Sequence, residues 1–452
     1  MKRVAAVMVF GLVTSGLAGC ATYAPAPLQV GAFAMPTVQR ADLPADGDPH
    51  VLLRLALAHD PAVAAARATL AAAENSRKAA GNLPPLSLSL TAEYSRDADA
   101  QKPWLYSGLV GIPLDIGARR NGRVTAADLA AVKARYALAE AVWGVRQRLY
   151  QALNDRAAAE QTIGLNQALL DQRSAYLEVI RQRVTRGEDA QGLAAQAALD
   201  VSGARQGLAQ ATALRTEAAN ALAGILRIGP DAGLPTTTLA DPAPLDAAQL
   251  TGMIDRMPYA RSDVLLAVTD YDVAENDLRL AVAAQYPDMT IQPGYTWERG
   301  QVKLPVSFNL TLPPLDGNRA AIAAAQATRL AAGKTLEDCV ATAHTAAVQA
   351  AASYNADLAT AQTIASQDIP AAQDMAQRAS RLTSAGESDQ AEALLARINA
   401  TQVQINLWQA QRTARNERLA LEDALHQPFD AVDTQILTDA VTPDAPKNEA
   451  QK

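Results

Sequence analysis

Four short stretches of the chain alternate apolar and small polar residues with a period of two. Leu86–Tyr94 reads L-S-L-S-L-T-A-E-Y, which puts Leu86, Leu88, Leu90, Ala92 and Tyr94 on one face of a strand and Ser87, Ser89, Thr91 and Glu93 on the other. Met289–Glu298 repeats the pattern, with Met289, Ile291, Pro293, Tyr295 and Trp297 against Thr290, Gln292, Thr296 and Glu298. Val306–Leu312 sets Val306, Phe308, Leu310 and Leu312 against Ser307, Asn309 and Thr311. Trp104–Asp115 is less regular, because Leu105 and Leu109 sit on its polar side. Strands are expected at 86–95, 104–115, 288–298 and 303–313.

Elsewhere the spacing is helical. Leu129, Val132, Tyr136, Val142, Val145, Leu149 and Leu153 step mostly by three and four, a packing stripe of coiled-coil type. Uninterrupted helical patterns run from Arg120 to Arg186 and from Arg319 to Ser384. At 1.5 Å per residue each spans roughly 100 Å. Each turns at a glycine, Gly187 or Gly386, and a second long helix returns to Leu226 or Leu425. Pro370 lies inside the second pattern, where a kink is expected. Shorter helices, Val51–Gly81 and Leu250–Gln285, precede the two strand pairs and stop near Pro84 and Pro287.

The order helix, two strands, two long helices therefore occurs twice. "AAAENS" around Glu74 matches "VAENDL" around Glu275, "IPLDIG" matches "PPLDG", and "TRGED" matches "SAGES", all offset by about 200 residues. The chain reads as a duplication, with repeats at 51–228 and 249–428. A linker at 229–248 joins them, an extension at 20–50 precedes them and a tail at 429–452 follows.

The strands are about 10 residues long, the length of a tilted membrane strand. Tyr94, Trp104, Tyr106, Tyr295 and Trp297 gather near the hairpin loops at about Ser95–Pro103 and Arg299–Lys303, as an interfacial girdle would. A membrane barrel is expected rather than a half-buried sheet on a soluble core. Four strands cannot close a barrel, and lipid does not tolerate open edges. Two chains would give about eight strands and a filled interior, whereas three would give about twelve and a water-filled lumen. The polar face favours three.

Pro113, Asp115 and Gly117, and again Pro314, Asp316 and Gly317, mark where a strand becomes a helix. Proline ends pairing, aspartate caps the incoming helix and glycine frees the turn. Arg119, Arg120 and Arg319 follow, placed to meet lipid headgroups.

Composition narrows the function. The net charge of −7 argues against nucleic acid as a partner, and few aromatics among many alanines suit long, closely packed helices. No phosphate-cradling glycine loop is found, and His50, His59, His344 and His426 lack Cys or His partners at metal spacing. His59 sits in "HDP", where Asp60 caps a helix. No enzyme activity, no cofactor and no metal site is expected. The N-terminus has a basic start at Lys2 and Arg3, an apolar run Val4–Leu17 and the sequence Leu17-Ala18-Gly19-Cys20. It reads as a signal peptide, residues 1–19, whose end resembles a bacterial lipobox. That resemblance implies cleavage before Cys20, acylation of Cys20, palmitate included, and sorting to the outer membrane because Ala21 rather than Asp follows. Cys339 is then the remaining thiol, read as a packed small residue.

The chain resembles the TolC-like outer-membrane efflux family over nearly all of its mature length. The resemblance rests on the lipobox, "PLDIGARR", "PLDGNRA", "AENDLRLAVAAQYPDMTI", "IPAAQDMAQRASRLTSAG" and "ANALAGIL", in this order within a duplicated layout. It implies a mostly α protomer with a β-hairpin in each repeat, a homotrimer with a twelve-stranded transmembrane β-barrel, and a periplasmic α-helical tunnel. It implies the role of exit duct in a tripartite efflux system, with a periplasmic adaptor and a proton-driven inner-membrane pump as partners. The hairpin tips, Val184, Arg186 and Gly187 with Leu382, Ala385 and Gly386, would dock the adaptor. Glu392 matches a carboxylate of the family's periplasmic gate. Leu395 stands where some members carry a second acid, and Glu387 and Asp389 are the substitutes. Acids at a helix N-terminus are favourable without any gate, so both uses fit these residues. A duct for exported peptides or proteins would share the same design, and a coiled-coil envelope lipoprotein that transports nothing is the third alternative.

Overall fold

A computed structural model describes residues 23–28, 31, 38–44, 47–82, 84–96, 103–114, 118–229, 233, 237 and 239–442. The expected signal peptide, Cys20, Asp115 and Gly117 lie outside the described residues. The chain divides into two units, Met1–Thr37 and Val38–Lys452. In the first, residues 23–28 form neither helix nor strand. All elements below belong to the second.

Helices α1 (Pro49–His59) and α2 (Pro61–Ala80) precede strands β1 (Ser87–Tyr94) and β2 (Trp104–Leu114). Then come the 68-residue α3 (Ala118–Thr185) and α4 (Gln191–Leu226). The order recurs as α5 (Ala247–Arg256), α6 (Ser262–Ala283), β3 (Asp288–Glu298), β4 (Gln301–Lys303), β5 (Val306–Thr311), α7 (Arg319–Thr363), α8 (Ile369–Ala385) and α9 (Gln390–Leu425). Helix α10 (Ala431–Val441) ends the described chain.

Proline divides or shifts three of the expected helices. The helix expected from Val51 to Gly81 is two helices, because Pro61 has no N–H and the Asp60 carboxylate takes over the orphaned donors of Ala62 and Val63 at 2.8 and 3.2 Å. The helix expected from Leu250 to Gln285 breaks in the same way, with a short 3₁₀ turn, Met257–Tyr259, around Pro258. Ahead of Pro370, where a kink is expected, a π-helical turn, Ile364–Asp368, shifts the register of the ladder and absorbs the missing N–H.

Each repeat packs its own core where the short helices meet the middle of the long ones. Leu52, Leu53, Leu57, Leu149, Leu222 and Leu226 are buried together in the first, with Ile436 of α10. Met253, Met257, Val264, Tyr354, Leu421 and Leu425 are their counterparts, and Cys339 packs at the edge of that cluster, as expected. Toward the hairpin tips, buried contacts thin to small groups such as Leu169, Ala204, Ile398 and Ile405. The Tyr354 hydroxyl donates to the Ala243 carbonyl at 2.6 Å, and Arg415 pairs with Asp241 at 3.1 Å, which fastens the inter-repeat linker to α7 and α9.

Candidate functional site

The five-stranded sheet is antiparallel, in the order β1-β2-β3, with β4 and β5 successive along the far side of β3. The expected strand at 303–313 is thus two pieces, divided at Leu304 and Pro305, where Pro305 cannot donate to a ladder. Gly294 N–H still reaches the Pro305 carbonyl at 2.9 Å, so the two pieces trace one edge.

The register decides which residues share a face. Leu88 pairs with Val110, Ala92 with Tyr106, and Tyr106 in turn with Trp297. Ile291 pairs with Ile112 on one side and with Phe308 on the other. One face is therefore apolar across all strands. The opposite face carries Ser87, Ser89, Thr91, Ser107, Thr290, Gln292, Thr296, Ser307 and Asn309, with Leu105 and Leu109 as its apolar members. The Ser107 and Thr296 hydroxyls bond across it at 3.0 Å. Gly111 belongs to this face because a Cβ there would lie 2.2 Å from the Ser87 hydroxyl.

Nothing among the described residues covers the apolar face: Leu90 is 76% exposed, Phe308 61% and Leu88 62%. Among the described residues the outer edges of β1 and of β4 and β5 carry no strand. Tyr94, Trp104, Tyr106 and Trp297 form a continuous row of rings, with centroids 5.1, 5.8 and 5.9 Å apart, at the loop end of the sheet. A sheet apolar on one face and polar on the other, with open edges, fits a shared barrel in lipid.

The junctions behave in part as expected. Gly317 takes φ +63°, and the Asp316 carboxylate accepts from the N–H groups of Asn318 and Ala320 at 3.0 and 3.4 Å. Pro314 lies beyond β5, whereas Pro113 still pairs with Thr290 inside β2. Arg119 and Arg120 both make bonds within the chain. Arg119 pairs with Asp288 and donates to the Tyr286 carbonyl, and Arg120 donates to the carbonyl of Gly81. These bonds fasten the start of α3 to the ends of α2 and α6. Arg319 is exposed.

The two hairpin tips are built alike. Glu188 N–H reaches back to the Arg183 carbonyl and Glu387 N–H to that of Leu382, both at 2.9 Å. Gly187 and Gly386 sit at φ +75° and +76°, which closes each helix without a Cβ clash. Leu382, Ala385, Gly386 and Arg186 are exposed and Val184 is half-buried. Of the candidate gate acids, Glu387 is exposed, and Glu392 accepts from the Ser388 hydroxyl at 2.5 Å. Asp389 caps α9 and is ion-paired with Arg183 of the other tip. Arg183 also forks onto Asp189 at 2.7 and 3.2 Å.

Two polar clusters near the cores escaped sequence reasoning. Arg146, 2% exposed, donates to Asp433 at 2.8 Å and to Glu422 at 2.6 Å. Burial lowers its pKa, but those two carboxylates outweigh burial and raise it. Tyr150 donates to Asp433 at 2.8 Å, and burial beside that carboxylate pushes its phenol far above the usual range. The second cluster is Glu140, Asp263 and His426. His426 lies 3.0 Å from Glu140, across 286 positions of sequence. Burial pushes the Glu140 carboxyl up, while hydrogen bonds from His426 and Ser262 more than offset this and leave it lowered. No spacing rule reaches partners so far apart.

Comparison with known proteins adds three findings. The family described as outer membrane efflux protein matches residues 52–226. No curated protein sequence matches. Among solved structures, a membrane protein from Pseudomonas aeruginosa is similar at TM-score 0.69 and 18% identity, over 92% of this chain and 99% of that one. The outer membrane protein VceC from Vibrio cholerae is similar at TM-score 0.67 and 21% identity, over 85% and 97%. The Neisseria gonorrhoeae MtrE outer membrane channel, in its open state, is similar at 0.66 and 19%, over 87% and 93%. The resemblance read from the sequence thus holds for the first repeat at the level of family and for the chain at the level of fold.

Proposed function

We propose that this chain, with an outer-membrane efflux match in its first repeat and a channel fold throughout, is one third of a passive exit duct. The observation that carries the reading is the sheet: an exposed apolar face backed by a polar one, open at both edges, and continuous with helices of about 100 Å. Three copies would close a barrel of about twelve strands around a wet lumen. The long helices would extend that lumen as a periplasmic tunnel ending at the tips.

In this scheme a periplasmic adaptor docks at Val184, Arg186, Gly187, Leu382, Ala385 and Gly386, and an inner-membrane pump supplies the energy. Glu387 and Glu392 are the acids left to line a gate, since Asp389 is engaged by Arg183. Cys20 would carry the lipid anchor. The test is conductance: purified protein added to a planar bilayer should give discrete ion-conducting steps. A protein that gives none, and that leaves the membrane on Cys20→Ala substitution, would instead be a lipid-tethered spacer.

A further inference from the structure

At the corner where α9 ends, three ligand-type groups meet from distant parts of the chain. They are Glu140 of α3, Asp263 in the first turn of α6, and His426 just past α9. One ligand atom from each lies within 4.8 Å of the others. Bonds of about 2.0–2.2 Å to a single ion would draw the three side chains closer together. We propose that Glu140, Asp263 and His426 bind a divalent transition-metal ion of the Zn2+ class, as a resident brace between α3, α6 and α9 and not as transported cargo.

The histidine is held in the form a metal needs. Its Nδ1 lies 2.9 Å from the Asp423 carbonyl, and its ring stacks on Trp143 at 5.1 Å. A carbonyl can only accept, so Nδ1 carries a proton and Nε2 is turned toward Glu140 Oε1 at 3.0 Å. A neutral ring in this pose would aim a lone pair at a carboxylate. A cation between them relieves the repulsion, as either a second ring proton or a metal ion. A proton serves two atoms, whereas a metal ion also serves the third ligand. The Nδ1–carbonyl bond is the outer-shell contact that orients metal-binding histidines.

The carboxylates are oriented too. Ser262 donates to Glu140 Oε1 at 2.5 Å. Asp263 Oδ1 accepts from Arg261 Nε at 2.9 Å and from the Val264 N–H at 2.8 Å. Its Oδ2 accepts from Arg261 Nη2 at 2.6 Å, and its second lone pair remains for a metal ion. Two carboxylates face one guanidinium, so the corner carries net negative charge to offset. Trp143, Ser262 and His426 also line a cavity of about 770 Å3, which gives an ion a way in. The return helix of the first repeat ends in the same left-handed turn at Arg227, so the turn itself does not call for histidine.

The test uses full-length protein purified in detergent without a polyhistidine tag, stripped with chelator and titrated with Zn2+ alone by calorimetry. One saturable Zn2+ per chain is expected. Affinity should fall about 10-fold or more in His426→Gln and in Glu140→Gln. His344→Ala, which alters an exposed histidine elsewhere, should bind as the native protein does. Co2+ should give a visible ligand-field spectrum that both variants change, and Asp263→Asn serves if either fails to fold. Absence of saturable binding, or equal binding in native and variant proteins, overturns the proposal. Channel conductance measured on the same samples tests the duct separately.

Discussion

Arg183 of the first hairpin tip is ion-paired with Asp389 of the second, so the two tips of one chain are tied to each other. Asp189 holds the same guanidinium from below. Asp389→Asn removes the tie without disturbing the first tip, since Arg183 keeps Asp189. Both groups are partly exposed, and such pairs contribute little to folding. The expected outcome is an unchanged unfolding midpoint with larger or longer-lived single-channel openings. Bilayer recordings indistinguishable from those of the native protein would show that this pair does not restrain the tip.

A different result is expected from Arg146. Its guanidinium joins Glu422 and Asp433 deep in the first repeat's core region. Arg146→Met would take the guanidinium from between two buried carboxylates and leave Glu422 with Arg418 at 3.4 Å and Asp433 with His50 at 3.8 Å, a change that costs about 3–5 kcal/mol when one partner of a buried pair is removed. Denaturant unfolding of the detergent-solubilised protein measures it. Replacing all three residues with apolar ones of similar volume should restore most of the loss, and a single variant as stable as the native protein would contradict the assignment.

The strands were legible because their signal is local. Sustained period two fixes both the element and the face, and Leu88 and Phe308 fall on the face the alternation gives them. The tip glycines were legible for a similar reason: a helix that stops and reverses needs one residue at positive φ. The break at Asp60–Pro61 was legible in its capping aspartate, whereas the one at Pro258 was lost because the 3.6-residue spacing of apolar positions continues across it. The bond from Arg119 to Asp288 was hidden because the two lie 169 positions apart. Arg146 and His426 were invisible for the same reason, since only folding brings α3 beside the end of α9 and the start of α10.

Acid should loosen α10 before it loosens the long helices. Burial raises the Asp430 pKa, but the Val432 N–H and His50 outweigh burial and hold it below the usual carboxylate value. A carboxyl with a lowered folded pKa stabilises above its unfolded value and loses that contribution as the pH falls through the folded one. Amide exchange across 431–441 should therefore accelerate below the ordinary carboxylate range, relative to α3. Asp430→Asn should exchange faster at neutral pH and respond less to acid. Equal pH dependence in native and variant protein would remove Asp430 from the account.

The two faces of the sheet should respond oppositely to the same charge. Leu90 and Phe308 lie on the exposed apolar face, and Ser89 and Asn309 neighbour them in sequence on the polar one. Leu90→Arg or Phe308→Arg would place a guanidinium against hydrocarbon, at about 2–4 kcal/mol near the bilayer midplane. These variants should assemble poorly and extract from membranes with alkaline carbonate. Ser89→Arg or Asn309→Arg would place the charge in water within the lumen. They should integrate normally and shift ion selectivity toward anions, as basic rings do. Reversal potentials under a salt gradient, measured beside carbonate extraction, separate the cases. If the polar-face variants were the ones lost from the membrane, the sheet would face the other way and the duct would have no wet interior.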